Sequence, residues 1–197
     1  MNHAHYDCMQ ILSKKNTMWK YIVLMQNHDI VSKSVYEMVE VFDILGGSND
    51  VEITKMPESR INQSFVWNAK NVMLFKDDEE LWQMLQISDF LGMPGHFTDK
   101  CLQEGKHTDY ITRMAQWKYE GPQACASGVN RHVVCLLGVE DIPTLAAFPN
   151  ILANKMMPEF DMAAIDCWHE VIFNRTYSNQ NDHPIERTYY ENMVNVN

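Results

Sequence analysis

The chain alternates short apolar runs with polar stretches, and the period of each run indicates its element. Trp19 to Met25 (WKYIVLM) is nearly continuous in apolar residues, as a strand covered on both faces would be. It ends in the polar cluster Gln26, Asn27, His28 and Asp29, at the strand end where open α/β sheets bind ligands. Ser34 then caps a helix, with Glu37 at the capping-box position. Val35, Met38, Val39 and Phe42 mark its apolar face, and Gly46-Gly47 stops it. Val51 to Lys55 alternates like a strand and is closed by Met56-Pro57. The first part therefore reads strand, helix, strand: a βαβ unit with a parallel sheet.

Val66 to Phe75 holds one or two short strands, with a turn at Asn68 to Asn71. A helix opens at Asp77 and ends before the turn Gly92-Met93-Pro94-Gly95, and Asp99 to Thr112 is polar loop. Met114 to Tyr119 reads as a strand carrying Trp117 and Tyr119 on one face, two residues apart. After a loop from Glu120 to Gly128, Val133 to Leu137 (VVCLL) is a second buried strand. Asp141 caps a short helix with Pro143 early in it. Asn150 to Met157 sets Lys155 among apolar residues. Asp161 caps the last helix, through about Phe173, with Met162, Ile165, Trp168 and Ile172 near one face. From Asn174 the chain is polar and aperiodic, which predicts a domain over 1–173 and a loose tail over 174–197.

The most pronounced local signal is Lys76 to Gly95, where four acids (Asp77, Asp78, Glu79, Glu80) run into Leu81, Trp82, Met84 and Leu85. Asp77 suits an N-cap and Glu80 a capping box, which sets Glu79 in the first turn, where the dipole favours an ionised carboxylate. Such a group can take a proton from a sugar hydroxyl. Caps and solvent-facing charge account for the same residues.

Length and charge narrow the field. The 197 residues suit one domain, and a net charge of -10 argues against a nucleic-acid partner, which needs clustered Lys and Arg. No apolar run is long enough to cross a bilayer, and MNHAHYDC lacks the pattern of a signal peptide, as in a cytosolic protein. Five cysteines and two sequons, Asn62-Gln63-Ser64 and Asn174-Arg175-Thr176, point instead to the secretory pathway. Compartment stays open on composition. His3, His5 and Cys8 fit no zinc spacing and lie in a terminus expected to be mobile.

No G-x-G-x-x-G, P-loop, G-x-S-x-G or H-E-x-x-H occurs, nor an Asp-x-Asp pair to hold a divalent metal on a nucleotide sugar. A leaving diphosphate would then need Arg or Lys, for which Arg131 and Lys155 are candidates, although spacing alone makes both ordinary surface cations. Cys125 and Cys135 bracket a short loop, as a disulfide or as two free thiols.

Six pieces in one order carry a resemblance: CMQIL with WKYIVLMQNHD, LGGSNDVEITKMP, DDEELWQML with GMPG, WKYEGP, a cysteine before GVNRHVVCLLGVEDIPTL, and ILANKM followed by Cys167. Over most of residues 6–173 the chain resembles a core-2/I-branching β-1,6-N-acetylglucosaminyltransferase. The resemblance implies a GT-A-like α/β fold, with a mixed, mainly parallel sheet flanked by helices. It implies inverting transfer of N-acetylglucosamine from UDP-GlcNAc to the 6-hydroxyl of a glycoprotein glycan, with no metal or other cofactor, at the Golgi membrane or lumen. Residue by residue, Glu79 falls on the catalytic base and Glu52 on an acceptor-binding carboxylate. Trp117 and Tyr119 match aromatic acceptor-site residues, Lys155 a cation on the donor diphosphate, and Cys125 and Cys135 a disulfide pair.

The departures matter as much. The family's arginine before Cys135 aligns without a gap on His132, and Arg131 stands one position early. Thr54 and Gln63 stand where the family offers polar or basic acceptor groups. The family also carries a membrane anchor, a stem and nucleotide-binding strands before the position of Met1. It has a long stretch between the positions of Phe75 and Asp77, where only Lys76 stands here. A carboxylate without its surroundings has neither the positioning nor the desolvation that catalysis needs. A truncated, non-catalytic relative that binds glycan or protein is therefore the alternative to a working transferase. A cytosolic interaction module with an acidic surface helix is a third reading, which the ordered motifs disfavour.

Overall fold

The computed structural model describes residues 2–15, 18–50, 62, 64, 66, 103–106, 110–121 and 125–196. The expected strands at Val51 to Lys55 and Val66 to Phe75, and the helix from Asp77, lie outside them. The chain divides into two compact units, Met1–Phe42 with Ile111–Ile185, and Asp43–Tyr110 with Glu186–Asn197.

The first unit holds a mixed three-stranded sheet. Strand β1 (Asp29–Val31) runs antiparallel to β5 (Leu152–Asn154), and β5 runs parallel to β2 (Arg113–Ala115), so β5 is central. All three residues of β5 are buried, while β1 and β2 each bury only the middle residue, Ile30 and Met114. That is the expected difference between a central and an edge strand. A hairpin of β3 (Asn130–Arg131) and β4 (Val134–Cys135) follows β2 in the chain. Helices α1 (Asn2–Ser13), α2 (Val35–Leu45), α3 (Ile142–Ala147) and α4 (Pro158–Tyr177) complete the order, with α5 (Arg187–Glu191) in the second unit. The core gathers Ile30, Met114, Leu137, Leu145, Ala153 and Trp168.

Trp19 to Met25 is not a strand. Residues 18–26 form no regular element, and Trp19, Leu24 and Met25 are exposed. An apolar run reports a tendency to be buried, whereas a strand also needs a partner for its backbone groups. The first described strand starts at Asp29 instead, just after that run. The terminus expected to be mobile is helix α1 from Asn2, and His5 Nε2 lies 3.2 Å from the Met25 carbonyl oxygen.

Helix α2 starts as expected. The Ser34 amide donates to Glu37 Oε2 (2.7 Å) and the Glu37 amide donates to Ser34 Oγ (3.2 Å), a complete capping box. It ends at Gly46 and Gly47, both at positive φ, where a side chain would be strained. Its buried face differs from the expected one. Glu37, Val41 and Leu45 are buried at four-residue spacing, while Val35 and Val39 face solvent. The helix rotates to bury a charge because that charge is paired.

The pair is Glu37 with Arg175 of α4, Oε1 to Nη1 at 3.6 Å, both side chains less than a tenth exposed. Lys33 is buried beside them and donates through Nζ to the Phe148 carbonyl (2.6 Å). Burial pushes the Lys33 ammonium below its ordinary value, Glu37 pulls it back up, and Arg175 pushes it down again. Between that lowered value and the ordinary lysine range, the unfolded chain binds the extra proton. Lys33 therefore makes stability rise with pH across that window.

Helix α4 begins a turn before Asp161, which interrupts it with extended geometry. Asp161 is still a cap: the Ala164 amide donates to its Oδ1 (2.9 Å), and the Val139 amide donates to its Oδ2 (3.1 Å). Ala164, Ile165 and Trp168 face the core, and the Trp168 indole N–H donates to the Val31 carbonyl (2.7 Å). Met162, expected on that face, is exposed. Asp141 precedes α3 but turns back, accepting from the Gly138 amide (3.0 Å) rather than capping α3.

The stretch 174–197, expected as a loose tail, is partly ordered. Helix α4 runs on to Tyr177, burying Arg175 and Thr176, and α5 follows. In the second unit Tyr190 and Met193 are buried, and Asn195 Nδ2 donates to the Asn49 carbonyl (3.0 Å). Isolated apolar residues anchor this segment, too few to make a periodic signal.

Replacing Glu37 by Gln leaves Lys33 and Arg175 as two buried cations without a counter-charge. We expect a loss of roughly 3–5 kcal/mol in urea unfolding, whereas Val39→Gln on the exposed face should change stability by less than about 0.5 kcal/mol.

Candidate functional site

Residue 155 follows directly on the central strand. Leu152, Ala153 and Asn154 are buried, the Asn154–Lys155 peptide is cis, and Lys155 itself is half-buried. Its carbonyl accepts from the Leu137 amide (2.9 Å), and the next amide, of Met156, donates to the His28 carbonyl (3.1 Å). The backbone at 155 is thus pinned from two directions.

Asp29 sets the geometry of this strand end. Its side chain is fully buried. Arg113 of β2 grips it twice, Nε to Oδ1 at 2.8 Å and Nη2 to Oδ2 at 2.7 Å. The Gln26 amide donates to Oδ2 (2.6 Å), and Asn154 Nδ2 donates to Oδ1 (2.8 Å). Asn154 also reaches the Asn27 carbonyl (3.3 Å), and Arg113 the Leu24 carbonyl (2.8 Å). Four donors on one buried carboxylate satisfy it, as a charge out of water requires. The sequence pattern suggested a ligand-facing cluster at Gln26 to Asp29. Its one carboxylate is instead spent inside the fold, holding the residue that precedes Lys155.

Arg131 lies in β3, exposed, with Nη1 against Met157 Sδ at 3.2 Å. That brings its guanidinium to the stretch that begins with Lys155. His132 and Val133 make the hairpin tip, both at positive φ, the backbone of a tight two-residue turn. His132 is exposed there. Beside this hairpin stands the aromatic pair. Trp117 bridges Val134, and the Lys118 amide donates to the Val133 carbonyl (2.9 Å). The expected strand Met114 to Tyr119 is only β2, after which the chain enters a 3₁₀ turn over Lys118–Glu120. That turn, not strand alternation, places Tyr119 on Trp117, ring centroids 5.6 Å apart and planes within 16°. Trp117 is half-buried and Tyr119 is 65% exposed, leaving aromatic surface for a ligand.

Cys125 and Cys135 are joined by a disulfide, with Cα atoms 5.5 Å apart and a sequence separation of 10. It ties the hairpin's buried strand to the loop ahead of it. Cys8 and Cys167 are free and exposed. Among the described residues no cluster of His, Cys, Asp and Glu could hold a metal. Glu79 and Glu52, with Thr54 and Gln63, lie outside the described residues. Arg131 and the Trp117–Tyr119 stack thus belong to one hairpin, and the backbone of Lys155 bonds Leu137 just beyond it. The residues missed in the sequence are Arg113 and Asn154, for which neither spacing nor composition gave a signal.

The Core-2/I-Branching enzyme family model matches residues 1–77. A protein of Bovine herpesvirus 4 (strain LVR140), a beta-1,3-galactosyl-O-glycosyl-glycoprotein beta-1,6-N-acetylglucosaminyltransferase, is 24% identical over 225 aligned positions, covering 86% of this chain and 51% of its own length. The Homo sapiens protein of the same name with the number 3 is 24% identical, with the same two coverages. A Bos taurus protein of that name is 23% identical, covering 85% and 52%. The chain spans about half the length of the curated relatives it matches. An alignment of 225 positions also exceeds the 197 residues present, so the relatives carry segments this chain lacks within the matched region. The chain is thus similar, at 23–24% identity, to beta-1,6-N-acetylglucosaminyltransferases, and over residues 1–77 to the core-2/I-branching family.

The disulfide closes a short loop in the unfolded chain. Its removal as Cys125→Ala/Cys135→Ala should lower the unfolding free energy by about 2–3 kcal/mol, and dithiothreitol should do the same to the unaltered protein.

Proposed function

We propose that this chain carries the sugar-handling side of a GT-A-like transferase. In this reading it transfers N-acetylglucosamine from UDP-GlcNAc to the 6-hydroxyl of a glycoprotein glycan, with inversion and without a metal ion. The observation that supports it is that Arg131 reaches Met157, two residues past Lys155, from a hairpin that also bridges Trp117, itself stacked on Tyr119. Two cations and an aromatic platform suit a nucleotide-sugar diphosphate and a sugar ring respectively.

Lys155 and Arg131 would spread the negative charge that grows on the diphosphate as the anomeric bond breaks. Arg131 is suited to this because its fork can bind two phosphate oxygens at once. Glu79 takes the proton of the acceptor hydroxyl as that oxygen attacks from the opposite face. Glu52 and the aromatic pair hold the acceptor. The compartment this reading requires is the Golgi lumen. No helix among the described residues is long and apolar enough to cross a membrane.

The segments that relatives carry and this chain lacks favour a second reading, in which it binds glycan or nucleotide but does not transfer. UDP titration by calorimetry separates the two at the first step. We expect binding that survives a chelator and weakens at least about tenfold in Lys155→Ala, the order of one charge-assisted contact. Loss of transfer in Glu79→Gln with UDP affinity unchanged would then support the base. Binding abolished by chelator, or untouched in Lys155→Ala, would contradict the proposed diphosphate site.

A further inference from the structure

The two sequons offer the same chemistry but stand in opposite structural states. In asparagine glycosylation, Nδ2 forms a bond to the anomeric carbon of a lipid-diphosphate-linked oligosaccharide. The bond from that carbon to the diphosphate oxygen breaks, the lipid diphosphate leaves, and one amide proton passes to a base of the oligosaccharyltransferase. The transferase has to reach Nδ2 and also grip the hydroxyl two residues on. Both groups must therefore be accessible on a segment that can bend into its active site.

At the first sequon, Asn62 and Ser64 are both exposed. The Ser64 amide donates to Asn62 Oδ1 (3.1 Å), and the Ser64 hydroxyl donates to the same oxygen (2.6 Å). This is an Asx turn, which draws the serine hydroxyl up to the asparagine side chain. Both donors fix the amide oxygen on the inner side of the turn, so Nδ2 lies on the other side of the amide.

At the second sequon Asn174 is half-exposed, but the Thr176 hydroxyl is not accessible. Asn174 lies inside α4, and its carbonyl accepts from the amides of Ser178 (2.9 Å) and Asn179 (2.8 Å). Thr176 is 9% exposed, and its hydroxyl donates back to the Ile172 carbonyl (2.8 Å). The residue between them, Arg175, is buried against Glu37 and sits 5.8 Å over the Trp168 ring. Presenting Thr176 to an enzyme means unwinding the end of α4 and breaking a buried ion pair.

We infer that Asn62 is the glycan-bearing residue of the folded chain and that Asn174 is closed to modification. The inference rests on the proposed secretory compartment for its occurrence in cells, but its chemistry can be tested apart from that. Unmodified full-length chain, made in bacteria, is incubated with a purified oligosaccharyltransferase and a chitobiosyl lipid diphosphate. Glycopeptide mapping follows, beside Asn62→Gln, Asn174→Gln and two short synthetic peptides, one spanning each sequon.

The expected result is a single glycan on the unaltered protein and on Asn174→Gln, and none on Asn62→Gln, with both peptides modified. Glu37→Gln, which loosens the end of α4, should raise modification at Asn174 at least tenfold. A glycan at Asn174 of the folded chain, an unmodified Asn62, or a resistant Asn174 peptide would overturn the inference. An in-vitro success with no glycan on the chain made in human cells would count against the compartment alone.

Discussion

Everything described near the candidate site depends on one buried carboxylate. Asp29 sits on an edge strand, its partner Arg113 on the opposite edge, and their side chains meet across the central strand that leads to Lys155. A charge removed from water at that depth is tolerable only if every lone pair is engaged, and Asp29 receives donors from Arg113, Asn154 and Gln26. Short strands of three residues have little ladder to hold them in register. The ion pair supplies a fixed reference that those few backbone bonds do not. Because Asn154 is one of its partners, the same contact sets where Lys155 begins.

A second buried charge group does the same for the helices. Glu37 completes the cap of α2 while facing Arg175 of α4, with Lys33 held beside it on the Phe148 carbonyl. Trp168 fastens α4 to β1 through its indole N–H. The outcome is a small sheet whose edges and covering helices are joined by specific polar contacts as well as by the apolar core. Such contacts contribute little net stability but strongly penalise alternative arrangements. They also explain why the second sequon is shut, since its middle residue belongs to this group.

What the sequence made legible follows from how local each signal is. The cap of α2, its glycine stop, the cap at Asp161 and the buried character of Leu136 and Leu137 depend on a few neighbouring residues, and all could be read. The Trp19 to Met25 run could not, because an apolar run does not say whether a partner strand exists. The burial of Glu37 in place of Val39, and of Asp29 in place of a ligand-facing role, depended on Arg175 and Arg113, each more than eighty residues away. Lys155, Trp117 and Tyr119 stand out only through the family resemblance, and Arg131 stands one position off its pattern, since spacing alone marks them as ordinary cations and core aromatics. The contacts of Arg131 with Met157 and of Trp117 with Val134 emerge only in three dimensions.

The most direct test of this account is a double-mutant cycle on Asp29 and Arg113, read as unfolding free energy. The variants are Asp29→Asn, Arg113→Met and the pair together. If the ion pair is the reference for the sheet, each single change leaves a buried group uncompensated, and the double change costs less than their sum by about 2 kcal/mol or more. Costs that add to within about 0.5 kcal/mol would mean that the two side chains act independently, and that something else holds the strand end at Lys155.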